Sequence, residues 1–194
     1  MSNVFLDCGT HLGQGLREFI ARFSMNETWK IHTFEANPVT YEKFVKNYSN
    51  MTPWVNHHNK AVGTYDGEIT VNLETPPNED DTGMGTSVIG LDKWNPWGNS
   101  ANFKIQKQVE CIDFSKFIKE NFNETDNINC KLDIEGSEYD LLERMIQDGT
   151  VKYFKHLSVE WHSRFFNNKQ EMEEREKLII EKIKSLGISL ESWR

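Results

Sequence analysis

Residues able to do acid–base or metal chemistry cluster in two short segments. "KLDIEGSEYDLL" carries Asp133, Glu135 and Glu138, and "HLSVEWH" carries Glu160 and His162. In both, an apolar run gives way to acids, which places those acids at the carboxyl ends of buried strands. Groups so placed can accept a proton from a hydroxyl or hold a hard divalent cation. Asp133, Glu135 and His162 are therefore the candidate catalytic residues, Asp133 foremost and His162 because its ordinary pKa lies near working pH. Asp133, Glu160 and His162 are the candidate ligands for Mg²⁺ or Mn²⁺. Plainer roles stay open: Asp133 as a helix cap, Glu135 and Glu138 as first-turn acids favoured by the helix dipole, and His162 as a simple polar contact.

A second constellation opens the chain. In "VFLDCGTHLGQG" an apolar run ends on Asp7, and Gly9, Gly13 and Gly15 follow. A pyrophosphate-binding turn has the spacing G-x-G-x-x-G. Here the spacing is G-x-x-x-G-x-G, and Asp7 at the strand tip would repel phosphate. A ligand with an ammonium group and no phosphate suits the turn better, and S-adenosylmethionine is such a ligand. Glu35 ends the second strand, where a carboxylate can accept both hydroxyls of a ribose.

These groups need a scaffold of alternating strands and helices. Val4–Leu6 reads as a buried strand, and Leu12, Leu16, Phe19, Ile20 and Phe23 recur at helical spacing. "KIHTFEA" is a second strand, and a helix follows with Asn37 as cap and Pro38 at its first position. "WVNHHNKAV" (54–62) reads as a third strand. "GEITVNLE" and "FKIQKQVEC" alternate as half-exposed antiparallel strands, forming an insertion around 68–110. Between them, 74–102 is a long loop expected to act as the substrate loop; its Trp94 and Trp97 either plug the loop onto the domain or offer flat faces to a sugar ring. "GTSVIG" within it is expected as a hinge or rim. Helix and strand then alternate to "ISLESW". The expected fold is α/β: a Rossmann-like, three-layer parallel sheet in one domain, 1–194.

Composition narrows the partners. The chain has 194 residues, a net charge of −8 and no long basic cluster, which disfavours nucleic acid. No apolar stretch approaches the roughly 20 residues needed to span a bilayer, and no signal peptide opens the chain. The three cysteines, Cys8, Cys111 and Cys130, read as buried free thiols in a reducing, cytoplasmic setting.

The segments "VFLDCGTHLGQG", "HTFEANP", "NKAVGTYDGEITV", "QVECIDFSKFI", "KLDIEGSEYDLL" and "HLSVEWH" occur in the order seen in FkbM-like methyltransferases, which the chain resembles from Val4 to His162. The resemblance implies a class I enzyme dependent on S-adenosylmethionine. By it, Asp7, Gly9, Thr10, His11 and Gly13 lie at the methionine end and Glu35 with Ala36 at the ribose. Ala61 borders the adenine, and Asp133 also meets the cofactor. Two departures stand out: no helix precedes the first strand, and no sequence remains for the usual antiparallel seventh. An open sheet edge of that kind invites a partner chain, such as a homodimer.

The expected activity is O-methylation of a sugar or glycan hydroxyl. A secondary-metabolite hydroxyl and a non-catalytic cofactor-binding accessory protein are the alternatives. An NAD-linked oxidoreductase is disfavoured by the glycine spacing and Asp7.

Overall fold

The computed structural model describes residues 1–48, 54–74, 85–94, 103 and 105–193. The first half alternates β1 (Asn3–Cys8), α1 (Gln14–Arg22), β2 (Lys30–Phe34), α2 (Pro38–Tyr48) and β3 (Val55–His58). Then come β4 (Ala61–Gly63), β5 (Gly67–Leu73), β6 (Ile105–Asp113) and α3 (Phe114–Asn121). The second half contains β7 (Asn127–Leu132), α4 (Glu138–Gln147), β8 (Phe154–Val159), α5 (Lys169–Ser185) and β9 (Ser189–Ser192).

The main sheet runs β3-β2-β1-β7-β8-β9, with every pair parallel. Strand alternation sorts the core into two sides. Val4, Leu6 and Cys8 of β1, with Ile128, Cys130 and Leu132 of β7, pack under α3, α4 and α5. Phe5 and Ile31 face the other way, against Leu16 and Phe19 of α1 and Phe44 of α2. That is the expected three-layer arrangement. Strand order reverses between β1 and β7, so a crevice opens at their carboxyl ends, where such folds bind ligands. All six strands of the main sheet are parallel; the described residues add no seventh.

One expected strand is in fact two. The 54–62 run breaks after His58, where the Asn59 side chain donates to the Glu35 carbonyl at 2.8 Å. The chain turns there, and β4 leaves the main sheet to pair with β6. The antiparallel insertion forms as expected: β5 pairs with β6 from Gly67 opposite Cys111 to Leu73 opposite Ile105. This small sheet, ordered β4-β6-β5, brings Ala61, Val62 and Val71 beside the strand tips at Gly9, Glu35 and Asp133. All three cysteines are buried and free. No helix among the described residues is long and apolar enough to cross a membrane.

Candidate active site

The turn after β1 is fastened to its neighbours by backbone bonds. Gly9 and Thr10 N–H both donate to the Phe34 carbonyl, at 2.9 and 3.0 Å, and Asp133 N–H donates to the Cys8 carbonyl at 3.1 Å. Gly9 has φ 77°, and a Cβ there would run into the Asp133 carbonyl oxygen. Only glycine allows the turn and the β7 tip to touch in this way. The Glu35 carboxylate accepts from His11 N–H and Asn37 N–H, both at 2.8 Å. Burial nevertheless pushes Glu35 up to about 7, with the two N–H groups working against that rise.

Two clefts meet beside this turn. The first, about 630 Å³ including its open mouth, has Phe34, Val62, Val71 and Val88 as apolar walls. Glu35 also lines it, with Ala36, Ala61 and Gly9. The second, about 790 Å³ counted likewise, has Phe165 and Trp193 as aromatic walls with Thr10, Glu160 and Arg164. His11, Asp133 and Glu135 line both. Thr86 and Val88 bring "GTSVIG" to the rim of the first cleft, and Ser87 Oγ donates to the Glu135 carbonyl at 2.5 Å.

Two expected cofactor residues turn away from the clefts. Gly13, φ 85°, caps α1, and a Cβ there would come within 2.8 Å of the Phe44 ring, so it serves the packing of α1 on α2. Asp7 is completely buried. The ammonium it meets belongs to the chain itself: Lys131 Nζ stands 3.6 Å from Asp7 Oδ1. Asp7 was expected to grip a ligand's amine; β-strand register instead sets it directly opposite Lys131, inside the sheet. Burial raises the Asp7 carboxyl above its usual range, with Lys131 opposing.

Lys131 is the residue that sequence reasoning passed over. It is buried, donates from Nζ to the Gly9 carbonyl at 2.5 Å and lies 3.0 Å from Asp133 Oδ2. Burial works against its charge, but Asp133 and Asp7 more than offset this and hold it above the ordinary lysine value. The signal was present: a lysine in an apolar strand, two residues before an acid, shares that acid's face.

The remaining charges surround His162. Its Nδ1 lies 3.1 Å from Glu138 Oε1. Its Nε2 is 3.5 Å from Glu135 Oε2, and 3.8 Å from both Asp133 Oδ1 and Glu160 Oε1. Burial alone would depress this histidine; Glu138, with Glu135 and Asp133, reverses that and holds it up at about 9. Near neutral pH it is an imidazolium with no lone pair to take a proton, which opposes the expected role of His162 as base. Burial lifts Glu135 to about 8, against the pull of His162. Glu138 does lie in the first turn of α4, as expected, but its main work is elsewhere. It is fully buried and accepts from Ile134 N–H at 2.7 Å and Gly136 N–H at 3.0 Å, fixing the β7–α4 turn. Ligand atoms of Asp133, Glu135 and His162 all lie within 4.8 Å of one another. Glu135 thus stands in this set where Glu160 was expected; Glu160 Oε1 is paired with Arg164 at 3.1 Å.

Trp94 does not present a face to solvent. It is fully buried, edge-on to Phe165 and Phe166 and 5.7 Å from the His162 ring. Its ring occupies the space that a side chain at Gly136 would need. Trp97 and much of 74–102 lie outside the described residues.

A doubly wound sheet with its crevice at the strand-order reversal, bordered by strand-tip acids, defines a Rossmann-like α/β protein. The chain belongs to the family of the methyltransferase FkbM domain, whose model matches residues 7–187. It is also similar in fold to the crystal structure of a methyltransferase FkbM from Methylobacillus flagellatus KT, at 13% identity and a TM-score of 0.52. That match covers 93% of this chain and 37% of the other, so the chain spans well under half the length of that relative. A search of curated proteins found none that matches.

Proposed function

We propose that the chain is an S-adenosylmethionine-dependent O-methyltransferase acting on a sugar or glycan hydroxyl. The observation that carries this reading is the meeting of two clefts at His11, Asp133 and Glu135. The first is apolar along its sides and carries Glu35, which suits a nucleoside. Ser137 Oγ, buried beside it without a hydrogen-bond partner among the described residues, adds an unused polar atom. The second cleft has room for an acceptor, with Phe165 and Trp193 as stacking surfaces and Glu160 and Arg164 as hydroxyl partners.

When bound, S-adenosylmethionine supplies an electrophilic methyl group. Glu35 would bind the ribose diol, and Ala61, Val62 and Val88 would enclose the base. Gly9 lets the β1 turn approach closely. At the junction, Glu135 would help orient the acceptor hydroxyl and Asp133 would hold its proton on a carboxylate oxygen. Phe165 and Trp193 would limit water there.

The tight grouping of Asp133, Glu135 and His162 supports a second reading, in which these residues hold Mg²⁺ or Mn²⁺. Glu138 on Nδ1 would then fix the histidine with Nε2 toward the ion.

Calorimetry with S-adenosylhomocysteine against NAD tests the cofactor assignment; binding of NAD alone would end it. A methyl-transfer screen over mono- and oligosaccharides, with and without chelator, tests acceptor and metal together. Asp133→Ala should abolish transfer, whereas Glu35→Ala should mainly weaken cofactor affinity.

A further inference from the structure

We propose that Lys131 is a positioning residue that pins the β1 turn to the acid at the β7 tip and thereby holds the cofactor cleft in its binding shape. This rests on the cofactor reading above and assigns Lys131 no contact with the cofactor.

Lys131 touches more of the site than any neutralising role requires. Its ammonium reaches the Gly9 carbonyl, Asp133 Oδ2 and, more distantly, Asp7 Oδ1. It also lies 4.6 Å from the centroid of Trp193, beyond β9. Its Cε stands 3.3 Å from where a Cβ on Gly15, at the start of α1, would be. One side chain therefore ties together the β1 turn, the β7 tip, the start of α1 and the end of β9. Bidding for Asp133 Oδ2 leaves Oδ1 on the side of His162. Drawing in the Gly9 carbonyl holds the turn against β7 at the point where the two backbones already touch.

A plain structural account is available: Lys131 exists only to offset the buried Asp7. Replacing a whole buried ion pair with neutral groups is often near neutral in stability, whereas removing one partner is costly. The two accounts part in the double variant Asp7→Asn with Lys131→Met. Lys131→Met alone should lower the melting temperature sharply and weaken S-adenosylhomocysteine binding. The double variant should recover most of the melting temperature, yet bind S-adenosylhomocysteine at least roughly tenfold more weakly than the parent. Its Gly9, Thr10 and Gly13 amides should also exchange with solvent faster than the parent's at matched global stability. Parent-like affinity together with parent-like turn exchange would overturn the proposal.

The two measurements separate this idea from the cofactor reading. If the parent itself fails to bind S-adenosylhomocysteine, that reading falls, and the exchange rates alone still decide whether Lys131 pins the turn. If neither variant folds, the parent labelled uniformly with ¹⁵N decides. Its Lys131 ammonium should exchange with solvent in step with the Gly9 and Thr10 amides as urea is raised, and an ammonium that exchanges independently of that turn overturns the proposal.

Discussion

His162 and His32 are both withdrawn from water, and they end at opposite extremes. His162 sits among Glu138, Glu135, Asp133 and Glu160 and is held up at about 9. His32, half-buried on β2, is pushed down to about 4, first by desolvation and then by His58 and Lys30. Its Nδ1 lies 3.0 Å from His58 Nε2, the two rings stack at 5.3 Å, and Phe117 and Phe122 meet its edge. His57 and His58 are depressed as well. Burial acts in the same direction on both histidines, so their company makes the difference. One end of the sheet buries charge in mutual pairs; the other buries imidazole as a neutral aromatic.

The most forceful way to break that contrast is Glu138→Ala. It strands His162⁺ and two backbone donors, so the expected cost is about 3–5 kcal/mol. A helix-dipole role alone would cost about 1 kcal/mol or less. Urea unfolding separates the two, and the His162 NMR titration should move down.

Changing pH probes both histidines at once. His32 has a folded pKa below its unfolded one, so the unfolded chain binds a proton that the fold refuses. Stability is therefore lost as pH falls from about 6.5 to about 4, by up to about 1.4 kcal/mol per pH unit before solvent screening trims it. His162 has the reverse sign: its contribution is complete below about 6.5 and is lost as pH rises through about 9. Glu35 and Glu135, both raised, partly mask the acid limb, so differences from the parent are the proper measure. His32→Phe should flatten the acid limb and leave the alkaline limb alone. A variant with both limbs unchanged would show that the neighbours do not set these charges.

A milder effect is expected in ligand binding. If a ribose diol donates to Glu35, binding favours the ionised carboxylate. Affinity for S-adenosylhomocysteine should then fall as pH drops below about 7, by at most about tenfold per unit. Calorimetry in buffers of different ionisation enthalpy would detect the accompanying proton release. Smallest of all should be Arg22→Ala, which removes an exposed bidentate pair with Glu191. Exposed pairs contribute about 1 kcal/mol or less, and thermal melts should barely register the loss.

Several features were legible because they are local. The 3.6-residue repeat of Leu16 and Phe19, the alternation of Ile69 and Val71, and the apolar run before Asp133 each declare an element without reference to the rest of the chain. The split of 54–62 into β3 and β4 was not legible, because it depends on Asn59 bonding to Glu35 and on β6 offering a second partner. Trp94 plugs its loop onto the domain, one of the two roles its sequence left open; the choice was not legible locally, because its burial follows from Phe165, Phe166 and the missing side chain at Gly136.

By itself, the order of residues determined the parallel α/β scaffold and the presence of acids at the strand tips, since periodicity and turn chemistry act over a few neighbouring residues. It could not determine which charge each acid would meet. Asp7 finds Lys131 across a strand pairing, and His162 finds Glu138 from a different element. Electrostatic interaction depends on separation through space and on exclusion of water, so only the assembled sheet could decide which of these groups carry charge.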